Sequence, residues 1–309
     1  MNKSNTANRP PLAPQHWPLW LALGLLRLLS LLPFRSLLVM GSLVGGLMYR
    51  FARSRRRVAA TNLKLCFPEL SESERQVLLK EHFQSMGIML FELALSWWGS
   101  DKRLASLTEI EGLDHLDTAV NKGNGALLLG AHYTTLDISG HLLATQTQLA
   151  IRSMYRPHEN PVIEHVMRNG RESYLDSLIP RDDIRGLIRT LKQNKVVWYA
   201  PDQQYEGKGS QLVPFFGIEA PTNTGTSRIA KMSKTAVIPF VSVRKADGSG
   251  YKLSLQPALE GFPTTDEMAD ATRIHQVFEE QIRLNKAQYF WVHKRFKRKW
   301  IEGKDPYNS

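Results

Sequence analysis

Cysteine is nearly missing from this chain: Cys66 is the one thiol among 309 residues. An internal disulfide framework is therefore excluded, and the composition fits a reducing compartment. There is no HExxH segment and no spaced cysteine pair, so no metal or cofactor is expected. No uninterrupted run of about 20 apolar residues occurs, because Arg27 and Arg35 break the two apolar stretches near the start. Those stretches lack a basic start and a small-residue cleavage site, which argues against a cleaved signal peptide. Acidic side chains are in the minority. Asp+Glu number 29 against 40 Lys+Arg, a net charge of +11. The excess implies an anionic partner: membrane phospholipid, a small acidic protein or nucleic acid. No RNA- or DNA-binding module accompanies the charge, so nucleic acid is not expected.

At this length the chain can bury a full core in one large domain with appendages. Residues 1–15 are polar and proline-bearing and read as a disordered tail. Residues 17–32 and 34–51 are largely apolar and flank Pro33. They predict a membrane-associated helical segment over 16–58, either one tilted anchor or two interfacial helices with snorkelling arginines. A buried two-helix hairpin is the rival, for which Pro33 and Gly45-Gly46 are suited. Trp17, Trp20 and the cluster Arg53, Arg55, Arg56 and Arg57 favour the membrane, with the arginines on its cytoplasmic side. An α/β domain is expected over 59–300, followed by a tail at 301–309.

Residues 125–142, GALLLGAHYTTLDISGHL, organise the rest. The apolar run 126–129 between Gly125 and Gly130 suits a parallel strand covered on both faces. A helix follows, entered at Thr134 or Thr135. Elsewhere strands are expected near 108–110, 149–154, 196–200, 236–243 and 252–256. Helices are expected over 113–122, 161–171, 184–193 and 270–284. Ser71 and Glu74 form a capping box for a helix ahead of residues 86–98, which read as a core helix or a wall of a lipid groove. This alternation predicts a central, mostly parallel sheet flanked by helices.

His132 and Asp137 fall where the buried strand turns into a helix, the usual place for a site in an open α/β sheet. Within one helix residues five apart diverge, but a histidine in the turn can meet a carboxylate from the first helical turn. Asp137 would then orient the imidazole as a base for a hydroxyl. No serine or cysteine sits beside His132, so direct transfer to a bound alcohol suits the pair better than a covalent intermediate. A second pair of the same spacing, His275 and Glu280, lies mid-helix and reads as a solvated face.

Three strand-end loops add candidates. Arg156 lies in a Pro-bounded loop and can bind phosphate or an oxyanion, or simply pair with Glu159. Asp202, in PDQQ, can orient a hydroxyl or a neighbouring base, or cap a turn. Asn223, Thr224, Thr226 and Ser227 open a helix and offer N–H groups to an anion, or serve as plain caps. Lys294, Arg295, Lys297, Arg298 and Lys299, interleaved with Trp291, Phe296 and Trp300, read as a solvated face or as a headgroup or acidic-protein contact.

HYTTLD (132–137), NLKLCFPELSE (62–72), MYRPHENP (154–161), VVWYAPDQ (196–203), VPFFGI (213–218) and QYFWVHKRFK (288–297) together resemble the late acyltransferases of lipid A biosynthesis, most of all the lauroyl-transferring branch. The resemblance runs from about residue 17 to 297. It implies a glycerolipid-acyltransferase-like α/β fold on the cytoplasmic face of the inner membrane. It also implies acyl transfer from acyl carrier protein to a Kdo-bearing lipid A precursor, with acyl carrier protein as co-substrate and no cofactor. The family's HxxxxD pair carries over to His132 and Asp137. Arg156, Arg171 and Asp202 are candidates for substrate or oxyanion binding. The rivals are a glycerophospholipid acyltransferase, an acyl-thioester hydrolase and a non-catalytic basic protein of the membrane surface.

Overall fold

The computed structural model describes residues 10–207, 209–298 and 305–307. Residues 1–9 of the expected tail, Lys299, Trp300 and most of 301–309 lie outside the described residues.

The chain opens with helices α1 (Trp17–Leu29), α2 (Phe34–Phe51), α3 (Arg53–Cys66) and α4 (Glu72–Trp98). The proline at 33 separates α1 from α2, as its missing N–H and fixed φ dictate. Ser71 caps α4 through the expected box, accepting from the Glu74 N–H while the Glu74 carboxylate accepts from the Ser71 N–H. α4 is a core helix: His82, Phe83, Ile88, Phe91, Glu92 and Leu95 are among its buried residues.

After α5 (Asp101–Ser106) the chain alternates: β1 (Thr108–Glu111), α6 (Leu113–Asn121), β2 (Ala126–Leu129), α7 (Leu136–Ala144), β3 (Ile151–Tyr155), α8 (Pro161–Glu172), β4 (Ser177–Pro180), α9 (Ile184–Lys192) and β5 (Val196–Tyr199). A hairpin, β6 (Ser210–Phe215) and β7 (Ile218–Asn223), leads into α10 (Gly225–Ser233). β8 (Ala236–Arg244), β9 (Tyr251–Leu255) and α11 (Glu267–Leu284) follow. The main sheet has the order β1-β9-β8-β2-β5-β3-β4. All its pairings are parallel except β8 with β9. The mostly parallel sheet flanked by helices is thus present. β4 and the β6–β7 hairpin were not anticipated.

β2 lies at the centre, paired with β5 and β8, and all four of its residues are buried. Leu127 and Leu129 face a cluster with Leu187 and Leu191 of α9 and Ile274 and Phe278 of α11. Ala126 and Leu128 face the opposite cluster with Leu37, Ile138 and Leu142. Helices therefore cover both faces, which explains the unbroken apolar run.

The first two helices match neither a fully buried hairpin nor a spanning anchor. α2 presses onto α4 at Gly41, Gly45 and Gly87, where an added Cβ would collide with the facing backbone. On the outside, Leu21, Leu25, Leu28, Leu31, Val39, Leu43, Leu47 and Phe51 are exposed, Leu21 to 75% and Phe51 to 72%. Among the described residues, no helix is long and apolar enough to cross a membrane.

Candidate active site

β2 ends at Leu129, and Gly130-Ala131 carries the chain over the sheet edge to His132. Only glycine fits at 130, because a Cβ would press into the Trp198 indole. The segment after α11 then clamps this turn. Tyr133 and Tyr289 form an antiparallel bridge. The Thr134 N–H donates to the Gln288 carbonyl at 2.8 Å, and the Phe290 N–H donates to the His132 carbonyl at 2.9 Å. The His132 backbone is therefore held from a segment more than 150 residues downstream.

The carboxylate that meets the imidazole is Asp202, not Asp137. His132 Nδ1–H donates to Asp202 Oδ1 at 2.6 Å, and the His132 backbone N–H donates to Oδ2 at 2.9 Å. Tyr289 donates its hydroxyl to the same Oδ2 at 3.1 Å. Asp202 is fully buried, whereas the His132 side chain is 29% exposed. Burial alone would raise the Asp202 carboxyl. The adjacent His132, with its two hydrogen bonds and that of Tyr289, overrides this and takes it down to about 2. With Nδ1 committed, Nε2 is the nitrogen left for chemistry.

Asp137 sits in the first turn of α7 and belongs to Arg171 of α8. Arg171 donates to Asp137 Oδ1 from Nε at 2.7 Å and from Nη2 at 2.6 Å, with both side chains mostly buried. Burial lowers the Arg171 guanidinium and Asp137 more than restores it, leaving it firmly charged. The expected contact of Asp137 with His132 is thus corrected: α7 directs this carboxylate across to α8. Asp202, in the loop that follows β5, occupies the place next to the imidazole.

His132, Asp137 and Arg171 line one cavity of about 260 Å³. Its walls are apolar, from Leu136, Leu143, Ile151, Met154, Met167, Leu175, Trp198 and Phe240. Arg156 also lines it, but its guanidinium is 63% exposed and pairs with Glu159 at 3.2 Å. A polar end at His132, Asp137 and Arg171 beside an apolar wall suits an apolar chain whose reactive end meets His132.

The sequence model described as "Bacterial lipid A biosynthesis acyltransferase" matches residues 7–298. The chain belongs to that family. It is an acyltransferase. Its relatives include the Escherichia coli (strain K12) lipid A biosynthesis lauroyltransferase, 38% identical over 93% of each chain. The palmitoleoyltransferase of the same strain is 37% identical over 94% of each chain. These two values do not separate the two branches. The myristoyltransferase of that strain is 28% identical over 92% of this chain and 88% of its own. Among solved structures, the 1-acyl-sn-glycerophosphate acyltransferase of Thermotoga maritima overlaps 77% of this chain and 100% of its own, with a TM-score of 0.39 and 13% identity.

Other expectations for this acyltransferase differ from its structure. His275 is buried rather than solvated: its Nδ1–H donates to the Pro214 carbonyl at 2.7 Å, because this face of α11 packs on β6. The C-terminal run packs into the core through Trp291, Arg295 and Phe296, while Lys294, Lys297 and Arg298 stay half-buried. Arg295 donates to the Pro221 carbonyl and Thr222 Oγ1, both at 2.6 Å. Thr224 at the start of α10 bonds Glu267 rather than standing open to an anion. Sequence reasoning also missed Tyr289 and His293 beside Asp202. Their signal was the motif QYFWVHKRFK, whose buried aromatics mark a segment packed against something rather than solvated.

Proposed function

We propose that this acyltransferase moves a lauroyl-like chain from acyl carrier protein to a hydroxyl of the lipid A precursor (Kdo)2-lipid IVA, at the cytoplasmic face of the inner membrane. The observation that carries this reading is the geometry of His132: one ring nitrogen is held by a buried carboxylate, and the ring lines an apolar cavity.

In this mechanism His132 Nε2 takes the proton from the acceptor hydroxyl as its oxygen attacks the thioester carbonyl. Asp202 holds the tautomer and stabilises the imidazolium that forms. The tetrahedral oxyanion is met by the Arg171 guanidinium, which Asp137 holds in place. Collapse breaks the C–S bond, and the imidazolium returns its proton to the departing thiolate. The exposed apolar residues on α1 and α2 offer surface of the kind that enters a lipid interface. Arg53 and Arg57, at its end, suit anionic headgroups. The +11 net charge suits both an acidic carrier protein and a phosphorylated acceptor.

A cell-free assay with lauroyl-loaded acyl carrier protein and three acceptors tests the reading. The acceptors are (Kdo)2-lipid IVA, lysophosphatidic acid and water alone. Ester formation on the first is expected. Preferential transfer to the second, or release of free laurate at the same rate without acceptor, would replace it with a glycerophospholipid acyltransferase or a hydrolase.

A further inference from the structure

Arg295 is a buried charge with no role in the steps above. It is 3% exposed, and its partners are the Pro221 carbonyl, Thr222 Oγ1 and His275 Nε2. His275 is neutral here: its Nδ1–H already donates to Pro214, so Nε2 accepts from Arg295. Burial, and then Arg295 itself, bring the His275 pKa down to about 3. Every direct partner of the guanidinium is thus uncharged, and its Nε has no partner at all. A cation sealed in this way is costly unless some anion answers it at longer range.

Three carboxylates are buried among the described residues: Glu92, Asp202 and Asp270. Glu92 is matched by Arg244 at 2.8 Å. Asp270 accepts the Thr264 N–H, at 3.0 and 3.2 Å from its two oxygens. Asp202 remains, and it lines the same small cavity as Arg295, together with Tyr289 and His293. At about 10 Å³ that space is of the size of a single water. The guanidinium also lies over the Phe215 ring, 5.3 Å from its centroid, and Phe215 leans on Tyr289, which donates to Asp202.

We propose that Arg295 is a positioning residue. Its charge, acting across the small cavity, adds to the hold that His132 and Tyr289 already have on the Asp202 carboxylate, and so tunes the proton affinity of the His132 imidazole whose Nε2 is the base. The inference rests on the base assignment above. The other titratable groups around Asp202 are His132 and Tyr133 from the turn after β2, Tyr289 and His293 from the segment after α11, and His275 from α11. Burial holds Tyr133 and Tyr289 protonated and takes the His293 pKa down to about 4. At neutral pH Tyr133, Tyr289, His293 and His275 are uncharged and cannot replace Arg295.

Removing the cation leaves the buried Asp202 charge to His132 and Tyr289 alone, so the His132–Asp202 pair binds a proton more tightly. The test compares wild type, R295M and R295K by two readouts against pH: kcat/KM, and the rate at which diethyl pyrocarbonate modifies His132, followed by peptide mass spectrometry. In R295M the acid limb of both profiles is expected to rise by about one pH unit, while R295K stays on the wild-type curve. Unshifted profiles in R295M, or equal shifts in both variants, would overturn the proposal. Should R295M fail to fold, R295Q carries the same charge test with an amide donor kept toward Pro221. If neither neutral variant folds while R295K does, Arg295 is a structural cation and the assignment falls. A shifted modification profile without acyl transfer in wild type would instead count against the proposed function.

Discussion

Two buried ion pairs sit near the C-terminal end of this sheet, and they differ in what they leave open. Arg244 and Glu92 make a bidentate pair at 2.8 Å, with Tyr251 donating to Glu92 at 2.7 Å and Ser85 accepting from Arg244 at 3.3 Å. Both side chains are under a tenth exposed. His132 and Asp202 pair at 2.6 Å, but one ring nitrogen is unspent and the imidazole is 29% exposed. A saturated pair fixes structure, whereas a pair with one free valence aimed at a cavity does chemistry. The two are joined: the Gln288 side chain bonds both the N–H and the carbonyl of Arg244, and its own carbonyl holds Thr134.

Mutations should separate the two pairs cleanly. H132A is expected to lower turnover by about 10³-fold, about 4 kcal/mol of barrier, in protein that still folds but melts lower, because the buried Asp202 loses its main partner. Retained turnover in a purified variant would break the contrast. E92Q leaves Arg244 buried and unpaired, a loss of about 3–5 kcal/mol of stability. Its kcat per folded molecule should remain within about twofold of wild type. Denaturant titration beside active-site counting checks both halves.

Acid should act on the scaffold through its buried histidines. His82 in α4 is fully buried, and burial takes its pKa from the ordinary 6.5 to about 4. The unfolded chain therefore binds a proton that the folded chain refuses between those values. The share of stability due to His82 is intact above pH 6.5 and falls by about 3 kcal/mol as pH drops toward 4, with His275 and His293 adding to the loss in the same direction. Urea midpoints measured across that window, with H82F flattening the slope, sharpen the point. R156A is expected to have the smallest effect, under about twofold on kcat/KM, since an exposed pair with Glu159 contributes little. A larger loss would move Arg156 from the rim into the reaction.

How much of this could be read from the sequence depends on how local each signal was. The unbroken apolar run at 126–129 and the glycines around it placed β2 and His132 correctly. A parallel strand covered on both faces leaves that mark in its own residues. The partner of the imidazole was not local. Asp137 is five residues away and Asp202 seventy, and only the β2–β5 pairing brings Asp202 alongside. Strand order is a tertiary outcome that no single stretch records. His275 was misread because one polar pair was weighed, while the apolar face it shares with Ile274, Phe278 and Ile282 was not. The basic C-terminal run was misread for a similar reason: its charges drew more notice than Trp291 and Phe296, which pull Arg295 into the core with them.

The central claim is that Asp202, rather than Asp137, sets the state of His132. The direct measurement is kcat for D202N and D137N with the same acyl donor and acceptor, in protein shown to be folded. D202N is expected to lose about 10²-fold or more in kcat. D137N, which only loosens Arg171, is expected to lose about tenfold or less. A D137N enzyme more damaged than D202N would contradict the account.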